Sequence, residues 1–133
     1  MLDFTYACIQ LIHNLGAATV VGGPAAALWP VRESQLALKR VAQLVTAGWL
    51  AQASAGLGFG LTSYFLRGEI PDITGVALFA LATKIFSTIC GIPISLFAIK
   101  RISSNRSSCI VFKILLALGV LSISAAAFLR WYL

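Results

Sequence analysis

The chain has 133 residues, of which 59% are hydrophobic and 11% are charged, and its formal net charge at pH 7 is +6. Too few polar side chains remain to cover a soluble domain of this size, so the composition excludes a water-soluble protein and predicts an integral membrane protein. The positive charge does not indicate nucleic-acid binding, because the sequence lacks a basic patch interleaved with exposed aromatic residues.

Four apolar stretches run through the chain, and each reaches the roughly 20 residues that a helix needs to cross a hydrocarbon core about 30 Å thick. The segments between them are short, which favours antiparallel packing of consecutive helices. The sequence therefore predicts one all-α domain over residues 1–133, an integral membrane four-helix bundle in up-down order. The predicted spans are residues 4–29, 41–65, 75–99 and 110–129.

Positive charge is concentrated in the first and third connections, whereas the second connection and both ends of the chain carry little of it. Basic residues next to membrane-spanning helices stay on the cytoplasmic side. We therefore expect a multi-pass protein of the bacterial inner membrane with both termini periplasmic. The basic residues concerned are Arg32, Lys39, Arg40, Lys100, Arg101 and Arg106.

The first predicted helix carries a polar patch at membrane depth. Gln10, His13 and Asn14 are spaced i, i+3 and i+4, which places them on one helix face. Amides in such positions usually form hydrogen bonds between helices. His13 is the chain's one histidine, and two interpretations of it stay open: an interhelical hydrogen bond, or ligation of a metal ion or haem.

The second predicted helix carries a face of small residues. Gly48, Gln52, Gly56 and Gly60 recur every four residues, a spacing typical of close contacts between membrane helices. The contacting helix belongs either to this chain or to a second protein. We expect the contact within the chain, because the first helix also contains small residues. Trp49 is expected to be a packing residue inside the helix rather than an anchor at its end.

The third predicted helix contains Lys84 near its middle, and none of the four apolar stretches contains an acidic residue. A charge at this depth costs about 2.5 to 3.5 kcal/mol on insertion scales, so it is usually paired or functional. Three interpretations remain: the side chain extends toward an interface, it pairs with an anion from outside the chain, or the amine is neutral.

His13 and Lys84 lie about nine and ten residues from the same side of the predicted membrane, which is roughly 15 Å of helix rise in each case. Gln52 approaches that level from the opposite side. We therefore expect a shared polar core, in which His13 and Lys84 are the candidate cofactor-binding residues. Its six members are Gln10, His13, Asn14, Gln52, Lys84 and Thr88.

The segment IHNLGAA at residues 12–18, followed by VVGG at residues 20–23, resembles the opening helix of membrane proteins related to copper-resistance protein D. There, too, a histidine precedes small residues and a paired-glycine step. The resemblance implies copper handling in the bacterial inner membrane or haem binding, with His13 as the metal ligand. The chain departs from the family in having no further histidine and no Met-rich or Cys-rich motif.

The sequence contains none of the standard catalytic constellations, so we do not expect an enzyme. We expect a non-catalytic accessory or structural subunit of a larger membrane complex of respiratory, photosynthetic or oxygenase type. Its partners would be the lipid bilayer and other membrane subunits. The alternative is a haem- or copper-binding membrane protein that uses His13. A third hypothesis, a transporter or channel, lacks the support of a visible inverted repeat.

Overall fold

The computed structural model describes residues 2–29, 34–67, 73–104 and 107–132. The described chain is entirely helical and forms four helices: α1 (Leu2–Leu28), α2 (Gln35–Arg67), α3 (Gly75–Ser103) and α4 (Cys109–Tyr132). The predicted all-α class and the number of helices are confirmed. Arg32 and Arg106, used for the predicted orientation, lie outside the described residues.

All four helices are long and apolar enough to cross a membrane. They contain 27, 33, 29 and 24 residues, so at 1.5 Å per residue each is longer than about 30 Å. Three of the four continue by several residues beyond the apolar stretches of the sequence. Pro24 and Pro93 lie inside continuous helices rather than at their ends.

The helices form a four-membered ring in which α1 packs against α2 and α4, and α3 packs against α2 and α4. In the described part of the chain, the diagonal pairs α1/α3 and α2/α4 have no backbone packing against each other. The chain thus forms two hairpins, α1–α2 and α3–α4. We call the end with the first and third connections the basic end, and the end with both termini the terminal end.

The hydrophobic core lies toward the basic end of the bundle. It joins the second half of α1 to the first half of α2, and the second half of α3 to the first half of α4. At the terminal end, no residue from Phe4 to Leu15 is buried, and Ala55 is the one buried residue from Ala53 to Phe65. The core residues are Val20, Ala27, Leu38, Ala42, Val45, Trp49, Ala98, Ile102, Val111, Phe112 and Leu115.

Glycines bring neighbouring helices close together, both within the α1–α2 hairpin and between the two hairpins. A Cβ at Gly48 would lie 3.0 Å from Thr19, and one at Gly119 would lie 2.5 Å from the carbonyl oxygen of Val20. A Cβ at Gly91 would overlap the indole ring of Trp49, which is fully buried. The expectation that Trp49 is an internal packing residue is therefore confirmed.

The helix contact expected along the glycine face of α2 is found at one end of that face. Gly48 contacts α1, but a Cβ at Gly56 or Gly60 would meet no described atom within 4 Å, and both glycines are exposed. The intramolecular interpretation is therefore wrong at Gly56 and Gly60. The physical reason is rotation: steps of four residues advance about 40° beyond a full turn, while α1 follows Gly48, Ala51 and Gly58 instead.

Candidate functional site

His13 is held against α2 by two contacts. Its carbonyl oxygen accepts a hydrogen bond of 2.7 Å from Nε2 of Gln52. Its imidazole ring meets the ring of Phe59 edge-on, with 5.9 Å between ring centroids. Gln52 and Phe59 lie before and after Gly56 in the same helix, so the histidine is at the level of Gly56.

Lys84 reaches the same point from the diagonally opposite helix. Its Nζ lies 3.2 Å from Nε2 of His13, a side-chain contact between α1 and α3. When Lys84 is protonated, its Nζ donates, Nε2 of His13 accepts, and the ring proton lies on Nδ1. Nδ1 is buried and has no hydrogen-bond partner among the described residues. Since the lysine points across the bundle, it does not extend toward an interface.

A seven-residue relation connects this site with the core. His13 precedes the buried Val20 by seven residues, and Lys84 precedes the buried Gly91 by the same number. Seven residues differ from two full turns by about 20°, so each pair shares one side of its helix. His13 and Lys84 therefore face the interior of the bundle, about two turns from these buried residues in the direction of the terminal end.

The same relation applies to α2, where Gly56 follows the fully buried Trp49 by seven residues. Gly56 and, one turn later, Gly60 thus continue the core-facing side of the helix. Yet both are exposed, and no described atom lies within 4 Å of the position that a Cβ would take on either. Among the described residues, the space beside these glycines is therefore open, and we call it the inter-hairpin cleft. The contact between His13 and Lys84 lies at the level of Gly56.

Three of the six residues expected in the polar core meet there: His13, Gln52 and Lys84. Gln10 instead donates a hydrogen bond of 2.8 Å to Asn14, and both of these residues are exposed. Their pair lies on the outer side of α1 and takes no part in the site. The sixth residue is Thr88, whose hydroxyl donates to the carbonyl oxygen of Lys84 at 3.0 Å.

Sequence reasoning missed the aromatic side of the site and one polar contact in the core. The ring of Tyr6 stacks on Phe59 at 6.2 Å between centroids. At the basic end, Thr46 donates a hydrogen bond of 3.0 Å to Ser95, both of them buried. A signal for the aromatic contact was the spacing of Tyr6 from His13, which is again seven residues and places both rings on one side of α1.

The site has positive charge and no negative charge from the interior of the helices. The sequence contains four acidic residues: Asp3, Glu33, Glu69 and Asp72. They lie at the start of α1 or in the connections, while Lys84 is the tenth residue of α3. At 1.5 Å per residue, its backbone is about 14 Å from the helix start. Within the helices that the structure describes, no acidic residue stands within nine positions of His13 or Lys84.

The residues present do not fit the copper or haem site that the family resemblance implies. The imidazole nitrogen suited to ligation, Nε2 of His13, already accepts from the Lys84 ammonium, and a cation beside it opposes a metal ion. Copper(I) also selects thiolate and thioether ligands. Among the described residues, no three His, Cys, Asp or Glu side chains are grouped as metal ligands.

Comparisons of the chain with protein-family models, curated proteins and solved structures find no match.

Proposed function

We propose that this chain is a multi-pass membrane protein that serves as a non-catalytic subunit of a larger membrane complex. The observation that carries the proposal is Lys84, the tenth residue of α3, whose Nζ contacts the imidazole of His13 and no carboxylate among the described side chains. The missing negative charge would be supplied by a partner subunit.

Insertion into a bilayer is supported by the surface of the bundle as well as by helix length. Large apolar side chains are exposed on every helix; Phe79 is 75% exposed and Phe65 is 74% exposed. Soluble monomers rarely expose contiguous apolar surface of this extent. The basic end carries Lys39, Arg40 and Lys100, which supports a cytoplasmic location of that end in a bacterial inner membrane.

The energetic argument for a partner concerns the cost of an unmatched charge. Burying an ion without a counter-ion costs several kcal/mol, and the cost is reduced when an opposite charge and hydrogen bonds are provided. In the described structure the hydrogen bond to His13 meets one of three donors of the ammonium. A carboxylate from another subunit would provide both the charge and a further acceptor.

The test is native purification of the tagged chain from its own membrane, followed by mass spectrometry of the intact assembly. We expect the 14.1 kDa chain in a fixed ratio with at least one different protein. A buried ion pair that loses one member typically costs about 3 to 5 kcal/mol. Lys84→Met should therefore release most of that protein.

The matched control is Lys113→Met, which removes an exposed lysine from α4 at the basic end. This variant should retain the partner. Purification of the parent chain alone, or as multiples of itself, would contradict the proposed function. A haem Soret band or retained copper that is lost with His13→Leu would instead support the cofactor alternative.

A further inference from the structure

The inter-hairpin cleft lies on the side of α2 that carries the buried residues Ala42, Val45 and Trp49 nearer the basic end. Gly56 and Gly60 line it, and the contact between His13 and Lys84 lies at the level of Gly56. Because neither glycine has a side chain, another backbone can approach α2 closely there. Gly56 and Gly60 lie one turn apart, so the bare backbone continues along the axis of α2, as a contact with a further helix requires.

We propose that the cleft receives a transmembrane helix of the partner subunit, and that this helix carries an aspartate or glutamate half-way along its length that pairs with Lys84. This inference rests on the proposed function and specifies the chemistry of the contact. The commitment to a partner's helix follows from charge complementarity. A second copy of this chain has no acidic residue within the middle of any helix and cannot supply the carboxylate.

In the described part of the chain, two groups at the same depth lack a suitable partner: the Lys84 charge has no counter-ion, and the His13 Nδ1 proton has no acceptor. A carboxylate would serve both. The Lys84 ammonium has a neutral imidazole as its side-chain partner, so its charge is unmatched. The Nδ1 proton of His13 is buried without an acceptor among the described residues. An acceptor with negative charge placed beside the pair therefore gains a charge-assisted hydrogen bond, which is stronger than a neutral one.

The chain itself provides a precedent for the packing. Gly48 lies on the same four-residue series as Gly56 and Gly60, and α1 packs on it through Thr19 and Val20, whose side chains lie 3.0 and 3.1 Å from its Cβ position. The series is thus occupied at one end by a helix of this chain. Gly56 and Gly60, turned about 80° and 120° farther around α2, present bare glycine backbone with no described atom packed on it.

Photo-crosslinking in the intact membrane tests the proposal. A benzoylphenylalanine placed at Gly60 probes the cleft, and one placed at Gly22 is the matched control, since Gly22 is also exposed with no described atom near its Cβ position. We expect a crosslink from position 60 to an apolar helix of a different protein, identified by peptide mass spectrometry. That helix should carry an acidic residue within about one turn of the crosslinked residue.

A charge exchange then tests the pairing itself. Replacing the partner's acidic residue by lysine should reduce co-purification at least tenfold, and combining it with Lys84→Glu should restore co-purification to within about threefold of the parent. Gly60→Leu should also release the partner, whereas Gly22→Leu should not. Retention of folded Gly60→Leu monomer, measured by size-exclusion chromatography, separates lost docking from lost folding.

Four outcomes would overturn the inference: a crosslink from position 60 to lipid, to a second copy of this chain, or to a helix without an acidic residue, and a charge exchange without rescue. Each of these is compatible with a partner bound elsewhere, so the proposed function would survive. Absence of any partner in native mass spectrometry would overturn both. The two failures are therefore distinguishable.

Discussion

The indole ring of Trp49 occupies the position that a side chain at Gly91 would need. This contact joins the two hairpins at the boundary between the core and the inter-hairpin cleft, because His13, Gly56 and Lys84 lie toward the terminal end from it. Trp49 is fully buried, and its large ring meets bare backbone on α3.

Gly91→Ala is expected to destabilise the bundle. The added methyl group overlaps the Trp49 ring, and overpacking of a core typically costs about 1 to 3 kcal/mol. Thermal unfolding in detergent micelles measures the effect. Gly22→Ala is the control, since it adds a methyl group in open space and should be neutral or stabilising by up to about 1 kcal/mol. Equal stability of the two variants would contradict the contact.

Trp49→Phe should be tolerated far better than Trp49→Ala. The indole Nε1 is buried without a hydrogen-bond partner among the described residues, and an unsatisfied buried donor costs about 1 to 3 kcal/mol. Phenylalanine removes that donor while keeping a ring on Gly91. Alanine leaves a cavity, with an expected loss of about 3 to 5 kcal/mol. Similar unfolding temperatures for the two variants would show that the ring does not hold the hairpins together.

His13 and Lys84 should be energetically coupled across the bundle. His13→Leu leaves the ammonium without its acceptor, so that variant should lose more stability than the same change made in a Lys84→Met background. The expected coupling in a double-mutant cycle is about 0.5 to 3 kcal/mol. Chemical unfolding in micelles of the parent, both single variants and the double variant provides the cycle.

The exposed pair Gln10 and Asn14 supplies the control cycle. Its hydrogen bond, 2.8 Å long, lies outside the site, and since an i,i+4 pair of this kind contributes about 0.2 to 0.5 kcal/mol, changes to alanine there should add to within about 0.5 kcal/mol. If the His13 and Lys84 changes are equally additive, their contact makes no contribution to stability.

The orientation in the membrane is accessible by labelling. In a variant whose three native cysteines are replaced by serine, a cysteine at Thr74 should react with an impermeant thiol reagent added to spheroplasts. One at Ser104 should react after lysis alone. Both positions are exposed, at opposite ends of α3, and the basic end is expected to face the cytoplasm. The reverse pattern would invert the proposed topology.

The number and class of the helices follow from the apolar stretches, whereas the start of α2 follows from the capping residue Ser34. The stretch at residues 41–65 predicts the membrane-embedded part of α2, whereas the helix begins at Gln35. There the Ser34 side chain accepts a hydrogen bond of 3.3 Å from the Ala37 amide, which stabilises the helix start. Lys39 and Arg40 interrupt hydrophobicity without interrupting the helix, because both are good helix formers.

The contact between His13 and Lys84 could be predicted from the depth of each residue in the membrane. Which residues pack beside Gly56 could not be predicted in this way. Counting residues from the helix ends gives the level of a side chain, since the rise per residue is fixed. Which neighbour lies at that level depends on how one helix crosses another. Here α1 leaves the glycine series after Gly48, a departure that comes from the packing of Ala51 and Gly58.

The core contacts of α2 are concentrated in the half of the helix nearer the basic end, so a change in packing near Trp49 tilts the other half. Phe65 is sixteen residues from Trp49, or about 24 Å along the helix, so a tilt of about 10° around Trp49 moves it by roughly 4 Å. Residues next to Trp49 barely move in such a tilt. The spacing of the helices at the terminal end consequently depends on side chains such as Trp49, although Trp49 would not contact a helix placed at that end.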